Sequence, residues 1–201
     1  MVSQELAPTE LTFTTVLTEA VCREGVCPTP AQVTVALLEA EGQAKQQRHT
    51  IDTAALLGNW RLRFTAPNKP AYKAGQPVGK GFYWPAIAPG TISFSRSDDN
   101  PAALAIQNQL QVGPLKLQFS GPAKFLPKKN LLAFDFVRLQ LFVGNWQLLT
   151  LPIPGKTSRG ESFQATAISQ LPFFAFFAAT EDYLAARGRG GGLALWVKGE
   201  G

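Results

Sequence analysis

Histidine is almost absent from this chain, with His49 alone in 201 residues. That removes most hydrolytic triads, histidine metal sites and imidazole acid–base chemistry. Cysteine is scarce too: Cys22 and Cys27 are the only pair, too few for a disulfide scaffold. Charged residues make up 16%, against about 25% in an average soluble protein. The hydrophobic share of 45% is ordinary, so the low hydrophobicity and high charge of a disordered chain are both missing. Long apolar runs are missing as well. The strongest, Leu171–Ala179, has nine residues and contains Pro172, whereas a membrane-spanning helix takes about 20. Residues 1–20 carry acids and threonines where a signal peptide has a basic start and an apolar run. The expectation is a cytoplasmic chain, soluble or peripheral to a membrane, with reduced cysteines.

What is present is unevenly distributed. Residues 1–52 hold three Lys/Arg against seven Asp/Glu, a net −4, and residues 53–201 hold sixteen against seven, a net +9. Phe13 is the only phenylalanine of the first part, and the other 13 lie in the second. A basic, aromatic-rich body attracts anionic surfaces or acidic partners.

The acidic part reads as helix. Phe13, Val16, Leu17, Ala20 and Val21 form one apolar stripe at helical spacing. Thr29, Pro30 and Gln32 then supply a capping hydroxyl, a proline at the first helical position and a capping-box partner. Val33, Ala36, Leu37 and Ala40 make the second stripe, with Gly42 as the expected stop. Residues 1–52 are therefore expected as a helical segment laid on the body, outside it or across one end.

From Leu56 onward the period falls to two. Trp60, Leu62 and Phe64 share one face while Arg61 and Arg63 take the other. The alternation returns at 92–94, 104–112, 115–119, 132–136, 139–143, 146–148 and 193–197. About eight strands with one polar face predict an antiparallel sheet that opens into a sandwich or closes into a barrel. Two connections exceed plain turns. Residues 66–90 contain five prolines, four glycines and the run Phe82–Tyr83–Trp84, and residues 152–180 end in "LPFFAFFAA".

Motifs for catalysis fail on inspection. "GQPVGKG" at 75–81 has the wrong spacing for a phosphate loop, and Gly81 stands where Ser or Thr binds magnesium. Cys22 and Cys27 lack a second pair of zinc ligands, and His49 sits in a polar stretch that faces solvent. Asp98–Asp99 falls in a turn sequence, and no nucleophile has a base beside it. "ARGRGGGL" at 186–193 runs straight into an apolar strand, so it reads as a glycine turn and not as an RNA-binding tail. Catalytic residues, metal ligands, cofactors and nucleic acid are all absent from this reading, which favours a non-enzyme.

Two end segments carry a family resemblance. "LLGNWRLRFT" at 56–65, with Gly58 and Trp60, and "EDYLAARGRGGGLALWVK" at 181–198, with Asp182, Arg187 and Gly188, resemble the opening and closing segments of the plastid lipid-associated proteins, the fibrillins or plastoglobulins. Leu184 stands where that family usually has Arg, and "AAT" replaces a usual Tyr-Leu-Asp. The resemblance implies a lipocalin-like antiparallel β-barrel over residues 53–201 and non-catalytic binding of an apolar lipid or isoprenoid compound, of quinone or carotenoid type. It also implies a place at thylakoid or lipid-body surfaces; no transit peptide is visible, as expected of a cyanobacterial member or of a mature or trimmed chain. In the lipocalin plan the Trp of Gly-x-Trp plugs one barrel end under a late basic residue, here Arg187 or Arg189.

The inward positions expected to line a cavity are Trp60, Leu62, Phe64, Phe94, Ile106, Phe119, Phe134 and Trp146, with Arg61, Arg63 and Arg138 near strand edges to orient a ligand. A barrel of this size is either packed solid or leaves room for one small ligand. Trp84, Phe173, Phe174, Phe176 and Phe177, flanked by Lys156 and Arg159, are expected at the membrane headgroups, against a bland reading as a segment tucked under the barrel. Asp182 and Arg187 are expected to pair and orient the last strand. Two other functions remain open: a bilin–phycobiliprotein lyase-like carrier, which needs Arg and Asp inside the cavity, and a membrane-associated scaffold with a solid barrel that binds a partner protein.

Overall fold

The computed structural model describes residues 12–22, 25–97, 103–153 and 163–199. Asp98–Asp99, Lys156 and Arg159 lie outside the described residues.

Helix α1 spans Phe13–Val21 and α2 spans Pro30–Gln47. The capping box at Thr29 forms as its residues dictate: Gln32 N–H reaches the Thr29 hydroxyl, and the Gln32 side chain accepts from Thr29 N–H at 2.8 Å. Gly42 does not end the helix. The chain runs through it to a left-handed cap at Arg48, because Ala40, Glu41 and Ala44 on either side are anchored by tertiary contacts. A further helical turn, α3 at Thr53–Leu56, is capped by the Asp52 carboxylate, which accepts from Ala54 N–H at 3.1 Å.

The strands are β1 Gly58–Ala66, β2 Ala71–Lys73, β3 Gln76–Val78, β4 Phe82–Tyr83, β5 Gly90–Arg96, β6 Leu104–Val112, β7 Leu115–Leu126, β8 Leu131–Phe134, β9 Arg138–Val143, β10 Trp146–Pro152, β11 Phe173–Ala179, β12 Tyr183–Gly188 and β13 Leu193–Lys198. Antiparallel pairing runs β8–β7–β6–β5–β1–β13–β12–β11 and returns to β8, which closes an eight-stranded barrel. The expected number of strands is met by a different membership. β9 and β10, expected in the barrel, lie off the ring, and β11, from a stretch read as a connection, and β12, from the residues leading into the glycine turn, complete it.

The split occurs along β7. Ala123–Leu126 pair with β8 inside the ring, whereas Leu115–Ser120 pair with β9. At Gly121 the Asp135 backbone occupies the space a Cβ would need, so the chain crosses from β8 to β9 by pressing on a bare backbone. Beyond that point β9 and β10 form a wing at the margin of the sheet, with β10 as its edge.

Two bulges set which side chains face inward. On β1 an extra residue intervenes between Leu62 and Phe64, so Trp60 and Leu62 point into the barrel while Phe64 and Ala66 point out. On β11 an extra residue between Phe176 and Ala178 does the same: Phe174, Phe176 and Ala179 face inward, Phe177 and Ala178 outward. A bulge adds one residue to one strand and reverses the alternation after it. The outward residues meet α1 and α2 in a core of their own, with Leu17, Val33, Leu37, Phe64, Phe177, Tyr183 and Leu195. The two long helices therefore pack outside the barrel, and Leu56 of α3 belongs to its interior.

Candidate ligand-binding cavity

One end of the barrel is sealed. Trp60 is fully buried, and its indole N–H donates to the Leu56 carbonyl of α3 at 2.8 Å. Lys198 Nζ lies 4.3 Å from the centre of the Trp60 ring, within cation–π range. Arg187 and Arg189, expected there, are elsewhere. Asn130, in a left-handed turn before β8, accepts from Ile51 N–H at 2.8 Å and donates to the His49 carbonyl at 2.6 Å. It ties the segment preceding α3 across the same end. Sequence reading missed Asn130, although an Asn after two lysines in a turn is the residue type that tolerates positive φ.

Above the seal the interior is filled by aromatic rings. Phe174 stacks on Phe134 at 5.1 Å and meets Trp196 edge-on at 5.4 Å, and Phe176 meets Phe94 edge-on at 6.0 Å. Phe94, Ile106 and Phe134 are buried in this floor.

Beyond the floor the barrel is hollow. A cavity of about 320 Å³ is walled by Leu62 and Thr65 of β1, Thr91 and Ile92 of β5, Asn108 and Leu110 of β6, Leu117 and Phe119 of β7, Phe174 of β11, and Ala194 and Trp196 of β13. Trp84 closes over it from the long loop after β1, its indole N–H donated to the Ala88 carbonyl at 2.6 Å. None of the described lining side chains is charged. The polar ones are Thr65, Thr91, Asn108 and Gln109. A larger groove of about 540 Å³ lies outside the barrel beside Glu19, Cys22 and Cys27, but it is lined by helix and loop and not by the barrel wall. Both cysteines are free and exposed, and the Cys27 sulfur accepts from Arg63 Nη2 at 3.2 Å.

Of the eight positions expected to line a cavity, Leu62 and Phe119 do, while Trp60, Phe94, Ile106 and Phe134 form the floor and the seal. Two expectations fail. Phe64 points away to the helices because of the β1 bulge. Trp146 is 78% exposed, because its strand belongs to the wing. The arginines also miss the cavity: Arg63 donates to the Ala20 carbonyl at 2.8 Å on the helix side, and neither Arg61 nor Arg138 is among the lining residues.

The aromatic cluster expected at a membrane is internal. Phe176 and Phe177 are buried on opposite sides of β11, Phe174 is in the cavity wall, and Phe173 packs against Ala133, Phe163 and Leu171. Trp84 is half-buried. Pairing of the segment into the ring as β11 is the physical reason, since both faces of that strand are covered.

Asp182 does not pair with Arg187 either. Asp182 is exposed, and its carbonyl accepts from Lys198 N–H at 2.8 Å. Arg187 reaches Glu41 of α2 instead, Nε to Oε1 at 2.8 Å, and also donates to the carbonyls of Pro70 and Gly191. Burial raises the Glu41 carboxyl, but hydrogen bonds from Arg187 and Lys45 outweigh it and hold its pKa below the ordinary value. This hub fastens α2, the long loop and the end of β12. Gly188 closes β12 and begins the glycine turn into β13, with its N–H donated to Gly192 at 2.9 Å.

Comparison with protein-family models, with curated proteins and with solved structures gives no match to this chain. Among the described residues no helix is long and apolar enough to cross a membrane.

Proposed function

We propose that this chain is a non-catalytic carrier of an apolar lipid or isoprenoid compound, of quinone or carotenoid type, held in the open half of the barrel. The observation that carries the reading is the cavity of about 320 Å³ with no charged lining residue, closed at the opposite end by Trp60, Leu56 and Lys198. Its size falls within the roughly 300–1,000 Å³ of small-molecule sites, which are mostly apolar with few polar groups. Binding would draw on about 25 cal/mol per Å² of apolar area before ordering costs. Thr65, Thr91 and Asn108 supply the polar groups that would orient a headgroup or ring oxygen.

The resemblance of residues 56–65 and 181–198 to the fibrillins supports the same reading and suggests work at a thylakoid or lipid-body surface. A bilin-carrying lyase would need guanidinium and carboxylate groups on its chromophore, and the cavity wall offers neither. A scaffold with a solid barrel is disfavoured by the cavity itself.

Native purification, organic extraction and mass spectrometry of the co-purifying compound test the proposal. A quinone, carotenoid or similar apolar lipid is the expected product. Recovery of a bilin, or of nothing together with no uptake of an apolar fluorescent probe, would overturn it.

A further inference from the structure

The cavity wall continues onto a surface that no other described residue covers. Leu110, Leu117 and Phe119 line the cavity, and the strand register places Val112, Leu115, Val143, Trp146, Leu149 and Leu151 on the same face of β6, β7, β9 and β10. Those six side chains are between 41% and 78% exposed. The opposite face carries Phe142 and Lys116 beside a run of bonded side chains, Gln118 donating to Gln140 at 3.1 Å, Gln140 to Gln147 at 2.8 Å and Gln147 to Thr150 at 2.9 Å. The two hairpin tips are joined, Gly144 N–H donating to the Pro114 carbonyl at 2.7 Å. The wing is thus a built, amphipathic sheet.

Charge and size select among its occupants. The four strands carry no carboxylate. Lys124 donates to the carbonyls of Phe163, Gln164 and Thr166, and Arg138 lies at the far end of β9. The cation at the tips is therefore Lys116, held over Phe142 at 4.3 Å on the face opposite the apolar one. At a strand spacing of about 4.8 Å, four strands about 20 Å long offer roughly 400 Å². That is about half of the roughly 800 Å² per partner in a stable protein complex. Among the described residues no strand pairs with the outer backbone edge of β10, and such an edge does not sink into hydrocarbon, where unpaired peptide groups are not tolerated. A headgroup boundary accepts such an edge while taking apolar side chains from one face.

We propose that the joined tips and apolar face of this wing dock the protein on an anionic lipid bilayer, with Trp146 and Val112 entering the headgroup region. The inference rests on the lipid-carrier reading in one respect: the docked face would give an apolar ligand a continuous path between bilayer and cavity.

Flotation with vesicles of phosphatidylcholine and phosphatidylglycerol, compared with phosphatidylcholine alone, tests it. The full chain floats with the anionic vesicles, less at high salt, and Trp146 emission shifts to the blue. The double variant Trp146→Ser/Val112→Ser loses about tenfold in partitioning at unchanged melting temperature, whereas Ile87→Ser, at an 84% exposed position on another loop, partitions like wild type. Equal flotation of the double variant would overturn the proposal. So would a lipid-free dimer by light scattering that the double variant abolishes, since the wing would then be a protein interface. Uptake of an apolar fluorescent probe without vesicles reads the cavity separately. Probe uptake without flotation removes the docking surface alone, and flotation without uptake removes the carrier reading alone.

Discussion

Lys198, near the end of the last strand, holds its ammonium 4.3 Å from the centre of the Trp60 ring on the first. β1 and β13 pair at this point, Trp60 opposite Lys198, so the contact joins the two ends of the barrel domain. An exposed cation on an indole contributes about 0.5–1 kcal/mol. Lys198→Met should therefore lower the melting temperature by only a few degrees. Trp60→Phe should cost more, about 2–3 kcal/mol, because it leaves the buried Leu56 carbonyl unpaired and a gap beside it. Thermal denaturation of the two variants checks the order; equal losses would deny the seal.

The Glu41–Arg187 pair predicts a pH dependence. The Glu41 pKa lies below its ordinary 4.5 in the folded chain, so the unfolded state binds that proton more readily. The stabilisation is complete above the unfolded value and disappears as pH falls through the folded one. Glu41→Gln should destabilise at neutral pH, with the difference from wild type vanishing as acid is added. Arg187→Met should cost about 3 kcal/mol by leaving a largely buried carboxylate with only the exposed Lys45 as its partner, and Glu41→Leu/Arg187→Met should recover most of it. Urea unfolding across pH measures all three.

Filling the cavity should abolish binding without unfolding the barrel. Ala194 is in the wall between β1 and β12, so Ala194→Phe places a ring where the ligand would sit. Binding of an apolar fluorescent probe should fall at least about tenfold, while added bulk in an existing void costs less than the roughly 1–3 kcal/mol of overpacking. Undiminished binding would place the ligand elsewhere.

Phe177 should behave as a core residue. It is buried against α1 and α2, so Phe177→Ala should cost about 3–5 kcal/mol and leave vesicle flotation of the folded fraction unchanged. Loss of flotation at full stability would restore this segment as a membrane contact.

Much of the fold is legible in local sequence because its signals are local. The Thr29–Pro30–Gln32 cap needs only neighbouring residues, and the period-two stretches announce strands wherever one face is buried. β11 hid because both of its faces are covered, which replaces alternation with a continuous apolar run. β12 hid for a related reason: Tyr183, Leu184, Ala185 and Ala186 are all buried, so no polar face marks it.

The site was legible only up to the first bulge. Leu62 and Phe119 obey simple alternation, and the cavity wall follows from it. Phe64 is two residues beyond Leu62 and faces the other way, since one extra residue on β1 is a property of its pairing with β13 and leaves no mark in composition. Arg187 likewise found Glu41, 146 positions away, where chain proximity suggested Asp182.

The sequence by itself determined the materials: acidic amphipathic helices, a basic β body, and a supply of side chains with one imidazole and two thiols. Those depend on residue type and short-range period alone. Tertiary structure decided which strands close the ring, which become the wing, and that the barrel is hollow at one end. Closure depends on β7 exchanging partners at Gly121, and hollowness on how rings from separate strands fill the floor, so both are relations between distant segments that no local period contains.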